Sequence, residues 1–181
     1  TETTASSDSW GNDMMHLDEI RDEFNAESAL TNTVTVAVLD TGIYEGHNLF
    51  SGRIASGGKS FIREGGWGRS SINDGEGHGT HVAGIIADGT PRQVKILPVK
   101  VMNRSREGGF AELINGVNYA VSQNSDVINM SLGGSMSSYI PELWYDAEYL
   151  ALEEAFRKAE NTGCLCVTAS GNEKADTDET S

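Results

Sequence analysis

Gly77-His78-Gly79-Thr80-His81-Val82-Ala83-Gly84 packs two imidazoles, a hydroxyl and several glycines into eight consecutive residues, and the fold is read outward from it. Glycines at 75, 77 and 79 let the backbone take conformations closed to other residues. Val82, Ala83, Ile85, Ile86 and Ala87 then continue as an apolar helix that would bury itself. His78 falls in the first turn of that helix. It faces the positive end of the helix dipole there, so its protonated form needs a carboxylate partner. Upstream, Val34-Thr35-Val36-Ala37-Val38-Leu39-Asp40-Thr41-Gly42 is β-branched, apolar on both faces, and ends in a carboxylate, a hydroxyl and a glycine. It reads as a buried parallel strand with Asp40 at its carboxyl end. Open α/β sheets gather their chemistry outside such ends, where a helix amino terminus also arrives, so Asp40 and His78 are expected to meet.

Two later segments complete a pattern: Asp126-Val127-Ile128-Asn129-Met130-Ser131-Leu132-Gly133-Gly134 and Ala169-Ser170-Gly171-Asn172. With the strand-Asp-Thr-Gly and the His-Gly-Thr-His-Val-Ala-Gly, they resemble the subtilisin-like serine proteases, in that family's order. The resemblance implies a three-layer α/β fold, a mainly parallel sheet with helices on both faces, incomplete in this chain. It implies a serine endopeptidase in which Asp40 orients His78, His78 moves protons, and Asn172 donates to the oxyanion. Ser131, Leu132 and Gly133 would form one wall of the substrate groove and Ala169, Ser170 and Gly171 the other, the extended segment pairing with substrate backbone as an added strand.

The family's nucleophile segment, Gly-Thr-Ser-Met-Ala, does not occur in these 181 residues. Residues 1–181 are therefore read as the amino-terminal portion of a peptidase domain, with 1–13 a flexible arm and 173–181 an exposed acidic loop suited to proteolytic processing. The serine is expected on a second, carboxy-terminal fragment held non-covalently, and this chain alone is expected to be inactive. A rival reading is a pseudoprotease or scaffold that binds peptides without cutting them.

Other chemistries fit less well. His78 and His81 with Asp40 or Asp74 invite a metal, but zinc helices favour two histidines four apart with a glutamate between, a pattern missing here, and His81 reads as structural. A dinucleotide loop needs a strand directly before its glycines and an acid some twenty residues on, and neither is present. Gly134-Ser135-Met136-Ser137 mimics a nucleophile segment, yet what precedes it is already taken as substrate-binding strand. Many subtilases bind calcium in a loop inserted in the helix after the histidine. Here Ala87-Asp88-Gly89-Thr90-Pro91 passes quickly to the next strand and Asn48 stands where an Asp is expected, so that site is read as absent, with the acid-rich loops leaving calcium open elsewhere.

A formal net charge of −14 argues against nucleic acid or an anionic membrane surface as partner. No apolar run is long enough to span a membrane, and the acidic charge suits a protein that is secreted or at the cell surface. Cys164 and Cys166 share one face of an expected strand and read as small buried hydrophobes rather than a disulfide or metal pair.

The remaining pattern alternates strands and helices. Met14, Met15, Leu17, Ile20 and Phe24 space a short amphipathic helix expected to pack an entry arm on the sheet. Lys59–Arg63 reads as a short strand, and Lys95–Val101 as a strand whose Pro98 implies an edge or a local irregularity. Phe110 to Val121 reads as a helix, Val127–Met130 as a strand, and Tyr145 to Ala159 as a helix stopped at Gly163. Cys164–Ala169 follows as the last strand. Such alternation predicts right-handed parallel crossovers.

Overall fold

A computed structural model of the chain describes residues 10–26, 32–63, 71–133 and 142–172, with side chains described from 147 onward in the last segment. Five strands form one parallel sheet: β1 (Val34–Asp40), β2 (Lys59–Ser60), β3 (Val94–Lys100), β4 (Val127–Met130) and β5 (Leu165–Thr168), in the order β2-β3-β1-β4-β5. The helices are α1 (Trp10–Met14), α2 (Leu17–Ala26), α3 (His78–Gly89), α4 (Phe110–Ser122) and α5 (Glu142–Asn161). The expected three-layer architecture is what the described residues form.

The layering follows from strand periodicity. Along β1, Ala37 and Leu39 pack with Val117, Ala120 and Val121 of α4 and Ala155 and Ala159 of α5, whereas Val36 and Val38 pack with Ala83 and Ala87 of α3. Successive side chains alternate faces, so Asp40 shares the face of Val36 and Val38 and points to the layer that α3 builds. Because β1 is central and covered on both sides, Ala37, Leu39 and Asp40 are fully buried. Truncating a side chain such as Leu39 to Ala here costs about 2–5 kcal/mol.

Pro98 is in an interior strand, not at an edge. Its register partner is Val38 on β1. On the other side, Ile96 bonds Arg53 and Ala55, and β2 pairs only from Val99 onward. Pro98 falls in the gap between these two pairings, so its missing N–H leaves no ladder position unmet. The strand expected over Lys59–Arg63 is shorter, Lys59–Ser60.

The amino-terminal region departs from expectation. Trp10–Met14 is already helical, so the part of the expected arm at 10–13 is ordered secondary structure; residues 1–9 lie outside the described residues. His16, with φ of 54°, breaks the stretch into two helices. The stripe Met14, Met15, Ile20, Phe24 is exposed rather than packed on the sheet. Polar contacts to α3 hold the arm instead: Asn12 Nδ2 donates to Asp88 Oδ2 at 3.0 Å, and Arg21 Nη1 donates to the Asp88 carbonyl at 2.9 Å.

Candidate active site

His78 Nδ1 lies 2.8 Å from Asp40 Oδ1 and 3.0 Å from Oδ2. Asp40 is fully buried, and the His78 side chain keeps about a third of its surface, 31 %, in solvent. Thr41 N–H donates to Asp40 Oδ1 at 2.7 Å, fixing the carboxylate at the strand end. A carboxylate on Nδ1 leaves Nε2 as the nitrogen for exchange with a second reactant.

The imidazole is held in place because the first turn of α3 is capped from three directions. A helix start leaves its first N–H groups without intrahelical partners. Gly77, the N-cap, has no side chain to offer. Instead His78 N–H donates to Glu76 Oε2 (2.8 Å), Gly79 N–H to Thr41 Oγ1 (3.0 Å) and Thr80 N–H to Asp74 Oδ2 (2.9 Å). Two of these acceptors are carboxylates, which the positive helix end favours. The third, Thr41, is next in sequence to Asp40, so the strand that carries the acid also caps the helix that carries the histidine.

Asp74 is the centre of this arrangement. Its Oδ1 accepts from Thr41 Oγ1 (3.0 Å), Glu76 N–H (3.0 Å) and Gly77 N–H (2.8 Å), and its Oδ2 accepts from Thr80 Oγ1 (2.6 Å) as well as Thr80 N–H. Burial alone pushes its carboxyl up. The hydrogen bonds from Thr80, Gly77 and Glu76 outweigh that and hold it well below the usual carboxylate range. Two further contacts set the loop: Asp74 N–H donates to the Ile43 carbonyl, and the buried Lys100 donates through Nζ to the Asn73 carbonyl at 2.9 Å.

Close approach requires glycine at two positions. A Cβ on Gly79 would lie 2.3 Å from the Gly42 carbonyl oxygen, and one on Gly42, whose φ is 115°, would lie 2.3 Å from the Ile72 carbonyl oxygen. Glu76 Oε1 accepts from Arg106 Nε at 2.8 Å, and that contact, followed by the bond from His78 N–H, holds the Glu76 carboxyl below its ordinary value. The histidine turn is thereby joined to the loop after β3.

Ser131–Gly133 and Ala169–Gly171 leave the carboxyl ends of neighbouring strands, Met130 being the register partner of Thr168. Leu132 and Gly133 line a cleft of ≈270 Å³ with Met102, Arg106 and Phe110, and Ser131 Oγ is bonded by Asn129 Nδ2 at 3.0 Å. Ala169, Ser170, Gly171 and Asn172 are exposed. His81 is exposed and makes no side-chain hydrogen bond among the described residues. The decoy at Gly134–Ser137 and the loop 173–181 lie outside the described residues. Cys164 and Cys166 are free thiols; burial, then the neighbouring Cys166, pushes Cys164 up to about 11, and burial also raises Cys166.

Asp74, Glu76, Thr41 and Lys100 were not singled out as supports by sequence reasoning. The one available signal was an acid shortly before a glycine that opens a helix, a capping pattern hidden here by the glycine-rich loop.

Fold and site together define a parallel α/β protein that presents a carboxylate-oriented imidazole at the carboxyl ends of its strands. The chain belongs to the subtilase family, whose model matches residues 31–181. It is 40% identical over 160 residues to the Major intracellular serine protease of Bacillus subtilis (strain 168), covering 83% of this chain and 46% of that protein. It is 35% identical over 159 residues to Subtilisin DY of Bacillus licheniformis, covering 83% and 52%. Among solved structures it is similar to a cold adapted subtilisin-like serine proteinase, with a TM-score of 0.59 and 33% identity over 80% of this chain and 49% of that one. The chain thus spans about half the length of the curated relatives it matches. Relatives named as intracellular, including one from Paenibacillus polymyxa at 37% identity over 81% of this chain and 44% of that protein, mean that kinship does not carry the expected secretion. No described helix is long and apolar enough to cross a membrane.

Proposed function

We propose that this chain supplies the general base and its orienting carboxylate to a serine endopeptidase acting on protein or peptide substrates. The observation that carries the reading is the 2.8 Å bond between His78 Nδ1 and a fully buried Asp40, with about a third of the imidazole side chain still reaching solvent. His78 Nε2 takes the proton of a serine hydroxyl as it attacks the scissile carbonyl and returns it to the leaving amine. Asp40 fixes the tautomer and stabilises the imidazolium formed on the way. Asn172 donates its amide to the oxyanion; removing such a donor from a subtilisin costs about 10²–10³ in turnover, a value that belongs to that enzyme. Ser131–Gly133 receives substrate backbone as an added strand, with Ala169–Gly171 opposite.

The serine belongs to a segment beyond these 181 residues, and the acidic stretch 173–181 is the proposed place of a processing cut. Family membership and the motif order support the first; the polar, acidic composition of 173–181 supports the second. A fluorophosphonate applied to the natural full-length protein tests the reading: one serine in a Gly-Thr-Ser segment is labelled, and His78→Ala abolishes both the label and peptide hydrolysis. Hydrolysis that survives His78→Ala overturns it. Intact-mass analysis of the native protein tests the cut, a single uncut species excluding it.

A further inference from the structure

Arg53 is buried, 6 % exposed, and no carboxylate pairs with it among the described residues. Four oxygens take the carboxylate's place. Nη1 donates to the carbonyls of Ala87 (2.7 Å) and Thr90 (3.1 Å), Nη2 to Thr90 Oγ1 (2.7 Å), and Nε to the Val94 carbonyl (3.0 Å). These oxygens belong to the end of α3 and the turn into β3. Carbonyls left free at a helix C-terminus carry the negative end of the dipole and call for a cation. An arginine fork answers with several donors fixed in one plane.

This is the same turn in which many subtilases carry a calcium loop, and the residues present do not fit that ion. Calcium asks for six to eight oxygens, drawn from carboxylates, carbonyls and water. Here the converging carbonyls already accept from a guanidinium. The carboxylate closest in sequence, Asp88, takes Asn12 Nδ2 at 3.0 Å and lies 3.8 Å from Arg21 Nη1. The corner is also rich in cations: Arg21 and Arg92 repel Arg53, and Lys95 Nζ bonds the Gly52 carbonyl at 2.6 Å. A dication placed among them meets like charge.

We propose that Arg53 is a built-in cation that occupies the oxygen cage at the end of the histidine helix, replacing a bound metal ion and making this corner of the fold calcium-independent. The guanidinium ties three segments at once: the turn after Phe50, the end of α3, and the start of β3. It therefore fixes the far end of the helix whose first residue is His78. A tethered cation, unlike calcium, cannot be lost to dilution or chelators.

The test reads stability, not proteolysis, so its outcome is independent of the peptidase reading. It uses the natural full-length protein in a His78→Ala background, which prevents self-digestion if that reading holds. Arg53→Ala lowers the unfolding midpoint by roughly 6–12 °C. Guanidinium chloride at about 20 mM restores several degrees in that variant by refilling the cage, whereas sodium chloride at equal ionic strength and calcium chloride at about 10 mM do not. The same guanidinium leaves the parent and Arg92→Ala unimproved. Failure of guanidinium to recover Arg53→Ala overturns the proposal, as does a calcium-dependent gain in the parent that Arg53→Ala abolishes. Should Arg53→Ala not fold, Arg53→Lys decides: one ammonium reaches fewer of the four oxygens, so its midpoint falls below the parent's, and a midpoint equal to the parent's refutes the cage.

Discussion

Replacing Asp74 by Ala removes the acceptor of five hydrogen bonds in one step: two hydroxyls, Thr41 and Thr80, and three backbone N–H groups, Glu76, Gly77 and Thr80. A hydrogen bond to a charged group contributes about 1.5–3 kcal/mol when buried, and an ordinary one about 1 kcal/mol. The half-buried position lets water take over part of the set. The expected net loss is about 2–4 kcal/mol, or roughly 6–12 °C in the unfolding midpoint of a domain this size or somewhat larger. The pH dependence separates this from a simple packing defect. The folded carboxyl titrates below its unfolded value of about 3.9, so its contribution is fully present above that pH and fades as pH falls toward the folded value. Parent and Asp74→Ala are therefore far apart at pH 7 and converge below about pH 4. Urea unfolding of both at a series of pH values, in a His78→Ala background, measures it. A difference below about 0.5 kcal/mol at pH 7, or one that does not shrink in acid, refutes the argument that ionised Asp74 joins the Asp40 strand to the His78 helix.

Asp40→Asn in the natural full-length protein leaves the fold in place but disfavours the productive tautomer of His78, and kcat for a peptide substrate drops about 10⁴-fold with KM little changed, as steady-state kinetics show. Gly79→Ala forces a methyl to within 2.3 Å of the Gly42 carbonyl oxygen, costs about 1–3 kcal/mol, and separates β1 from α3 at the Asp40–His78 contact; loss of stability together with loss of activity is the expected pair of readings. Cys164 and Cys166, raised by burial, stay protonated near neutrality, so iodoacetamide at pH 7.5 modifies them far more slowly in native than in urea-unfolded protein, as mass spectrometry measures.

The sequence by itself determined the strands and helices of the sheet layer and the pair of residues that meet at the carboxyl end of its central strand. Val34 to Asp40 is too uniformly apolar for anything but a central strand, its two-residue period puts Asp40 on the same face as Val36 and Val38, and the glycine-rich start of the next helix leaves His78 as the group to meet it. Those are local rules, periodicity and helix ends, and they survive folding unchanged. What only the tertiary structure decided were the contacts between segments remote in sequence. Pro98 is tolerated inside the sheet because β2 begins one residue later. The methionine stripe of the arm faces solvent, and Asn12 and Arg21 make its hydrogen bonds to Asp88 of α3. Asp74 and Arg53, one at each end of α3, gain their partners from Thr41, Thr80, Ala87, Thr90 and Val94, and no periodicity in a sequence reports which carbonyl a buried guanidinium will find. That choice depends on which chain ends converge once the two faces of β1 are covered, and convergence is a property of packing, not of pattern.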